Sequence, residues 1–244
     1  EIYAGIVEIM AAAREPGVRA KIAVRTKDKA VDPVGACVGM KGTRVQNIVQ
    51  ELKGEKIDIV PWDEDITRFA CNALAPAEIS RVFMDEENKE LEIVVPDNQL
   101  SLAIGKKGQN VRLAAKLTGW KIDIISESTA AARTAEAIFN LMLVPGMTET
   151  MAQNIFQAGF GSFQSISKAN VEEVMTIPGY DDPDKAEKLI ADAKALVEKY
   201  DKEGSPVPTK YGTELTGKGA SDAKSQADLR LKQELEKLEN HKED

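Results

Sequence analysis

One stretch near the start of the chain alternates apolar and polar residues with a period of two. Val18, Ala20, Ile22 and Val24 alternate with Arg19, Lys21, Ala23 and Arg25, which predicts a half-buried strand. Ile6 to Arg14 predicts its hairpin partner across Glu15-Pro16-Gly17, and Glu78 to Met84 with Leu91 to Val95 predict a second hairpin around Asp85-Glu86-Glu87-Asn88. Helical spacing follows each hairpin. Val45, Ile48, Val49 and Leu52 mark one apolar face, and Val111, Ala114, Ala115 and Leu117 mark another. Between them, Ile66, Phe69, Ala70, Ala73 and Leu74 predict a helix from Asp65 to Ala75, stopped by Pro76. Later helices are expected at Thr134 to Leu143, Thr148 to Ala158, Val171 to Thr176 and Asp184 to Lys199. Residues 200–227, rich in Gly, Ser, Pro, Thr and Lys, predict a flexible tail. Leu229, Leu231, Leu235 and Leu238 suggest a short terminal helix, marginal by itself.

These elements repeat. VGMKGTRVQNIVQELKGEKIDIV, Val38 to Val60, returns as IGKKGQNVRLAAKLTGWKIDII, Ile104 to Ile125. Each copy therefore reads as hairpin, short helix, Gly-x-x-Gly, helix, strand. Each occupies roughly 65 residues, enough for a small α+β domain. The segment between the copies has no Gly- or Ser-rich linker, so the two should form one rigid platform.

Composition narrows the function. The 244 residues are 43% hydrophobic and 30% charged, a balance able to fill a core in one large or two to three small domains. No run of 18 apolar residues suggests a membrane-spanning helix. Two cysteines, Cys37 and Cys71, make no disulfide framework and suit a reducing cytoplasm. Cys37 reads as a small apolar filler beside the first loop. The only histidine, His241, lies in the charged tail, which argues against triad catalysis or a His/Cys zinc site. No Walker A spacing is present, and Asp58 and Asp123 are single carboxylates. We expect no enzyme activity, no cofactor and no metal. The chain begins at Glu1 without a Met, which suggests a fragment with an upstream part missing.

The net charge is -8, yet it is unevenly spread. Arg14 to Arg44 holds eight basic and three acidic residues, and Gln99 to Lys121 holds five basic and none acidic. Residues 128–199 are net -4, with six basic against ten acidic. Positive patches on an acidic chain suit a defined polyanion groove better than bulk nucleic-acid binding.

Both patches contain a Gly-x-x-Gly: Gly39-Met40-Lys41-Gly42 and Gly105-Lys106-Lys107-Gly108. Glycine lets a polyanion approach the main chain, and the following helix offers free N–H groups at the positive end of its dipole. One such motif is usually an ordinary turn. Two, each between helices and followed by Lys-Ile-Asp-Ile, resemble KH domains, which clamp about four nucleotides with this loop. The hairpin-first order fits the bacterial αββααβ variant. Candidate RNA contacts are the eight loop residues with Arg44, Gln109, Asn110 and Arg112. Val38, Ile57, Ile59, Ile104, Ile122 and Ile124 are candidate groove walls, and Trp62 and Trp120 read as packing residues.

The resemblance is specific. VDPVGACVGMKGTRVQNIVQELKGEKIDIVPW, Val31 to Trp62, closely resembles the first KH domain of the NusA family of bacterial transcription factors, as does EIYAGIVEIMAAAREPGVRAKIAV, Glu1 to Val24, its entry. AIGKKGQNVRLAAKLTGWKIDI, Ala103 to Ile124, is similar to the second. The resemblance implies tandem KH domains holding nascent single-stranded RNA in a factor that regulates polymerase pausing, termination and antitermination. It also implies RNA polymerase as a partner, mainly through domains upstream of Glu1 and also through an acidic helical domain. Other antitermination factors are expected partners, and the chain is expected to be a monomer.

Val144-Pro145-Gly146 and Ile177-Pro178-Gly179, each leading to a helix with Ala152 or Ala186, resemble helix-hairpin-helix units. The second glycine that grips DNA phosphate is replaced by Thr148 and Asp181. With the acidic balance, this argues against duplex DNA binding and for protein partners. A DNA-repair module and a ribosome-associated KH protein are the competing readings. The expected domains are 1–62 and 63–128 (KH), 129–200 (helical) and 201–244 (tail).

Overall fold

The computed structural model describes residues 1–204, 207–210 and 212–213. The expected helix at Leu229 to Leu238, His241 and most of the expected tail lie outside the described residues. Two compact units are present, Glu1–Ala131 and Ala132 onward.

The first unit holds the repeat. Strands β1 (Val7–Glu15) and β2 (Arg19–Thr26) form an antiparallel hairpin, followed by helices α1 (Pro33–Val38) and α2 (Thr43–Glu51) and strand β3 (Lys56–Pro61), parallel to β2. Helix α3 (Ile66–Leu74) leads into β4 (Arg81–Asp85), β5 (Glu90–Val95), α4 (Leu100–Ile104), α5 (Gln109–Thr118) and β6 (Lys121–Ser126). The sheets have equivalent orders, β1-β2-β3 and β4-β5-β6, with the hairpin antiparallel and the last pair parallel in each. Local chemistry explains several ends. Asp32 and Asp65 cap α1 and α3 by accepting from Val34 N and Thr67 N. Strand β4 starts at Arg81 rather than Glu78; it follows a turn closed by Ala77 N to Leu74 O, and Ser80 N already donates to Val94 O.

The sequence placed Lys21 and Ala23 on the wet face of β2, yet they are 1% and 0% exposed, whereas Val18 is 55% exposed. β2 is the central strand, and helix α5 of the second repeat packs across β1 and β2. Ala13 and Ala23 join Phe69, Ala70, Leu74, Leu113 and Ala114 in one continuous core. Small side chains on β1 and β2 leave room for the helix. The two copies thus share a core, and the α2 and α5 faces diverge. α5 buries Leu113, Ala114 and Leu117, while α2 buries no residue and leaves Ile48 47% exposed.

The same face of the first sheet carries a charged network. Asp58 accepts from Arg19 Nε at 2.8 Å, from Arg19 Nη2 at 3.0 Å and from the buried Lys21 Nζ at 3.0 Å. Burial pushes the Asp58 carboxyl up, but Arg19 and Lys21 outweigh it and hold it below its ordinary value. Burial pushes Lys21 down. In the second copy the register sets Glu92 beside Asp123. Removing one partner of a buried pair strands the other, so Asp58→Ala should destabilise the protein by about 2–4 kcal/mol. Because the folded pKa is depressed, this stabilisation is present above the unfolded carboxylate pKa and lost as pH falls through the folded value. Urea unfolding at neutral pH checks it, and a loss under about 1 kcal/mol would contradict the assignment.

The second unit is helical. Helix α6 (Glu127–Leu141) starts seven residues before the expected Thr134 and runs through the expected domain boundary at 128–129. Its start is set by Ser126, whose hydroxyl accepts from Thr129 N, and by Asp97, which accepts from Ser128 N and its hydroxyl. Then follow α7 (Glu149–Gln157), α8 (Phe163–Lys168), α9 (Val171–Met175) and α10 (Pro183–Glu203), with two-residue strands β7 (Pro208–Thr209) and β8 (Gly212–Thr213). Helix α8 was not expected from the sequence. Ser162 and Ser165 form its capping box, and Phe163 and Ile166 enter the core. Helix α10 continues to Glu203, four residues beyond the expected end and into the expected tail. Ala152 and Ala186, one after each Pro-Gly turn, are fully buried with Leu141, Ile155, Phe163 and Ile190.

Candidate nucleic-acid interface

Both Gly-x-x-Gly loops have the same backbone shape. Gly39 ends α1 with φ 74 and ψ 174, and Gly105 ends α4 with φ 75 and ψ 168. A tight turn follows, closed by Gly42 N to Gly39 O at 3.1 Å and Gly108 N to Gly105 O at 3.0 Å. The middle lysines, Lys41 (φ 52) and Lys107 (φ 55), lie in the left-handed region, uncommon for a side chain with a Cβ. Such strain of order 1 kcal/mol persists where the surroundings fix it, often at binding loops.

The glycines do two jobs. A Cβ on Gly39 would come within 2.7 Å of Arg44 Cγ, and one on Gly105 within 2.8 Å of Asn110 Cβ. These positions need glycine for close approach. Gly42 (φ 79) and Gly108 (φ 71) face open space, where a Cβ would meet nothing nearer than Val45 at 3.9 Å in the first copy and nothing within 4 Å in the second. Gly42 and Gly108 also stand at the N-cap positions of α2 and α5, where neither makes a side-chain cap. Thr43 N and Gln109 N donate back to Met40 O and Lys106 O within the loops, and no side chain caps the rest of either first turn, where an outside acceptor has room to bond. Met40, 87% exposed, and the exposed Lys41, Lys106 and Lys107 surround them.

The four candidates beyond the loops sort differently. Arg44 and Asn110 hold equivalent places and reach back to the preceding helix. Arg44 Nη1 donates to Ala36 O at 2.7 Å and to Glu1 at 2.6 Å. Asn110 Nδ2 donates to Ala103 O at 3.0 Å and Leu74 O at 3.1 Å. Both are clasps that hold the loop shut, so base reading by the Asn110 amide would cost it two hydrogen bonds. Gln109 and Arg112 turn to the first repeat. Gln109 Nε2 donates to Glu15 at 2.8 Å, and Arg112 Nε donates to the same carboxylate at 2.6 Å. Arg112, with Gln109 helping, holds the Glu15 carboxyl below its ordinary value. Glu15 had no periodic signal in the sequence, being part of a turn 97 residues from Arg112.

The groove candidates Val38, Ile57, Ile59, Ile104, Ile122 and Ile124 are all half-buried. Trp62 and Trp120 pack against the core, and Arg25 lies 5.1 Å over the Trp62 ring. Burial pushes both thiols, Cys37 and Cys71, up. In the second unit, Gly146 (φ 76) and Gly179 (φ 95) make the two hairpin turns. Thr148 caps α7 by accepting from Met151 N, and Asp182 caps α10 by accepting from Asp184 N. These helix starts are occupied by the protein's own oxygens, one of them a carboxylate. Among the described residues, no group of three His, Cys, Asp or Glu could hold a metal ion, and no helix is long and apolar enough to cross a membrane.

Comparison with known proteins finds three family matches along the chain. Residues 1–62 match the NusA-like first KH domain, 66–132 the NusA-like second KH domain, and 139–195 a SAM-like helix-hairpin-helix tandem. A Bacillus subtilis protein described as transcription termination/antitermination protein NusA is 64% identical over 130 residues, covering 53% of this chain and 35% of its own length. One of the same description from Halalkalibacterium halodurans is 63% identical over 130 residues, covering 53% and 34%. A third, from Rickettsia conorii, is 42% identical over 191 residues, covering 75% of this chain and 38% of the relative. The chain therefore spans just over a third of the length of these curated relatives.

Proposed function

The chain belongs to the NusA family, and on that footing we propose that its tandem KH domains bind nascent single-stranded RNA in the regulation of transcriptional pausing, termination and antitermination. One observation carries the reading. Two glycine loops of the same backbone shape, on one shared core, each lead into a helix whose N-terminus no side chain caps, beside exposed lysines. That arrangement suits phosphates spaced along one strand. RNA polymerase and other antitermination factors are the proposed protein partners, with the acidic helical unit as one contact. The capped turns of that unit and its net charge of -4 over residues 128–199 favour protein over duplex DNA. A monomer in the cytoplasm, without catalytic activity, fits this role.

Salt tests the RNA reading. Four to six phosphate contacts at about -0.7 each give a slope of log K against log salt of roughly -3 to -4 for a single strand. Fluorescence anisotropy with a twelve-nucleotide RNA measures it. A slope near zero would mean that the backbone is not gripped and would remove the basis of the proposal.

A further inference from the structure

We propose that Glu15, a residue of the first KH hairpin, is a positioning residue for the loop of the second KH domain. The inference rests on the RNA reading above and deepens it by naming what holds one of the two loops in its binding shape.

Glu15 ends β1, and its side chain points at the other repeat. One carboxylate oxygen accepts from Gln109 Nε2 at 2.8 Å and the other from Arg112 Nε at 2.6 Å. Gln109 is the first residue of α5, directly after Gly108. Arg112 passes the contact onward, because its Nη1 donates to the carbonyl of Lys107 at 3.2 Å. Lys107 is the left-handed residue in the middle of the loop. A single carboxylate of one domain is therefore connected through one guanidinium to the strained peptide of the other domain's loop. Charge-assisted hydrogen bonds of this kind are short and directional.

The first loop is held in another way. Its clasp, Arg44, bonds Ala36 O and Glu1, both within the first repeat. The position equivalent to Arg112, four residues after the last loop glycine, is Gln46, which is exposed. So Glu15 acts on one loop only. Arg112 is then a relay rather than a base reader, since its Nε and one Nη are already committed. Its position beside Lys107 still adds positive charge for the RNA backbone.

The loops are separated by disabling one at a time in the full 244-residue chain. With Gly42→Asp, only the second loop remains, and adding Glu15→Ala should weaken a twelve-nucleotide RNA about tenfold. With Gly108→Asp, only the first remains, and Glu15→Ala should change affinity less than about twofold. Equal losses in both backgrounds, or none in the first, would overturn the proposal. If Glu15→Ala has no cooperative unfolding transition, Glu15→Gln replaces it, keeping the shape without the charge. The same selectivity for the second loop is then required. If neither glycine variant weakens RNA, the RNA reading itself fails and this inference with it. Hydrogen exchange reads the positioning without RNA. The Gly108 N–H should exchange several-fold faster in Glu15→Ala while the Gly42 N–H does not, and an unchanged Gly108 would overturn the positioning role.

Discussion

Carrying Gly42→Asp and Gly108→Asp together, the chain is expected to lose about a hundredfold or more in affinity for single-stranded RNA while keeping its fold. Each aspartate would stand at the N-cap of α2 or α5, and its carboxylate would occupy a helix N-terminus that no side chain now caps. A charge about 4 Å from a phosphate costs roughly 1–4 kcal/mol between bulk water and a protein surface, and there are two such sites. Folding should survive because both positions face open space and aspartate tolerates the left-handed region better than most residues. Gly39 and Gly105 do not serve this experiment. A Cβ there would collide with Arg44 or Asn110 and disturb the clasp. Anisotropy with RNA and a circular dichroism melt measure the two arms. Retained affinity in a folded double variant would show that the loops are not the RNA contact.

The second large effect concerns length. The two repeats share one core, in which Ala13, Ala23 and Val60 of the first meet Phe69, Leu74 and Leu113. Asn72 Nδ2 donates to Pro61 O at 3.1 Å, and Glu15 holds α5. Such a platform keeps the loops at fixed spacing. If each KH domain takes about four nucleotides, the joint site needs roughly eight or more. Once one loop is bound, the second contact is intramolecular, and affinity should rise ~10²-fold or more between oligomers of about four and about twelve nucleotides. The rise should be steep up to about eight to twelve. Affinities that stay equal after correction for site number would mean two independent clamps. The Gly42→Asp and Gly108→Asp single variants provide a check within the same experiment, since each should lose most of the length dependence.

Much of this protein was legible without coordinates, and the physical reason is locality. The period-two alternation of Val18 to Arg25 and the helical spacing of Ile66 to Leu74 are consequences of backbone geometry, which neighbouring residues express directly. So is the recurrence of Gly-x-x-Gly before Lys-Ile-Asp-Ile. Caps such as Asp65 and the Pro-Gly turns are equally local. That is why the two loops, their lysines and the helix-hairpin-helix pattern could be read from the residues alone. The start of α6 and the existence of α8 were missed although their caps are local. Ser126 and Asp97 act together across the end of a strand, and Ser162 and Ser165 replace the more familiar Ser with Glu.

Tertiary structure decided what long-range packing decides. Ala11, Ala13 and Ala23 look unremarkable in a strand, and only the arrival of α5 across β1 and β2 makes their small size useful. The same approach gives Arg112 and Gln109 to Glu15, across 97 and 94 residues of chain, when their position beside a basic loop suggested that they faced RNA. The Asn110 amide, which the sequence offers as a candidate base reader, donates to Ala103 O and Leu74 O. Sequence by itself determined where glycine, helix N-terminus and lysine coincide, because these three are neighbours along the chain. Which of the adjacent polar side chains are free to take part was decided only by the fold, because an amide or a guanidinium has the same chemistry whether its partner is a phosphate or a carboxylate brought from the other repeat.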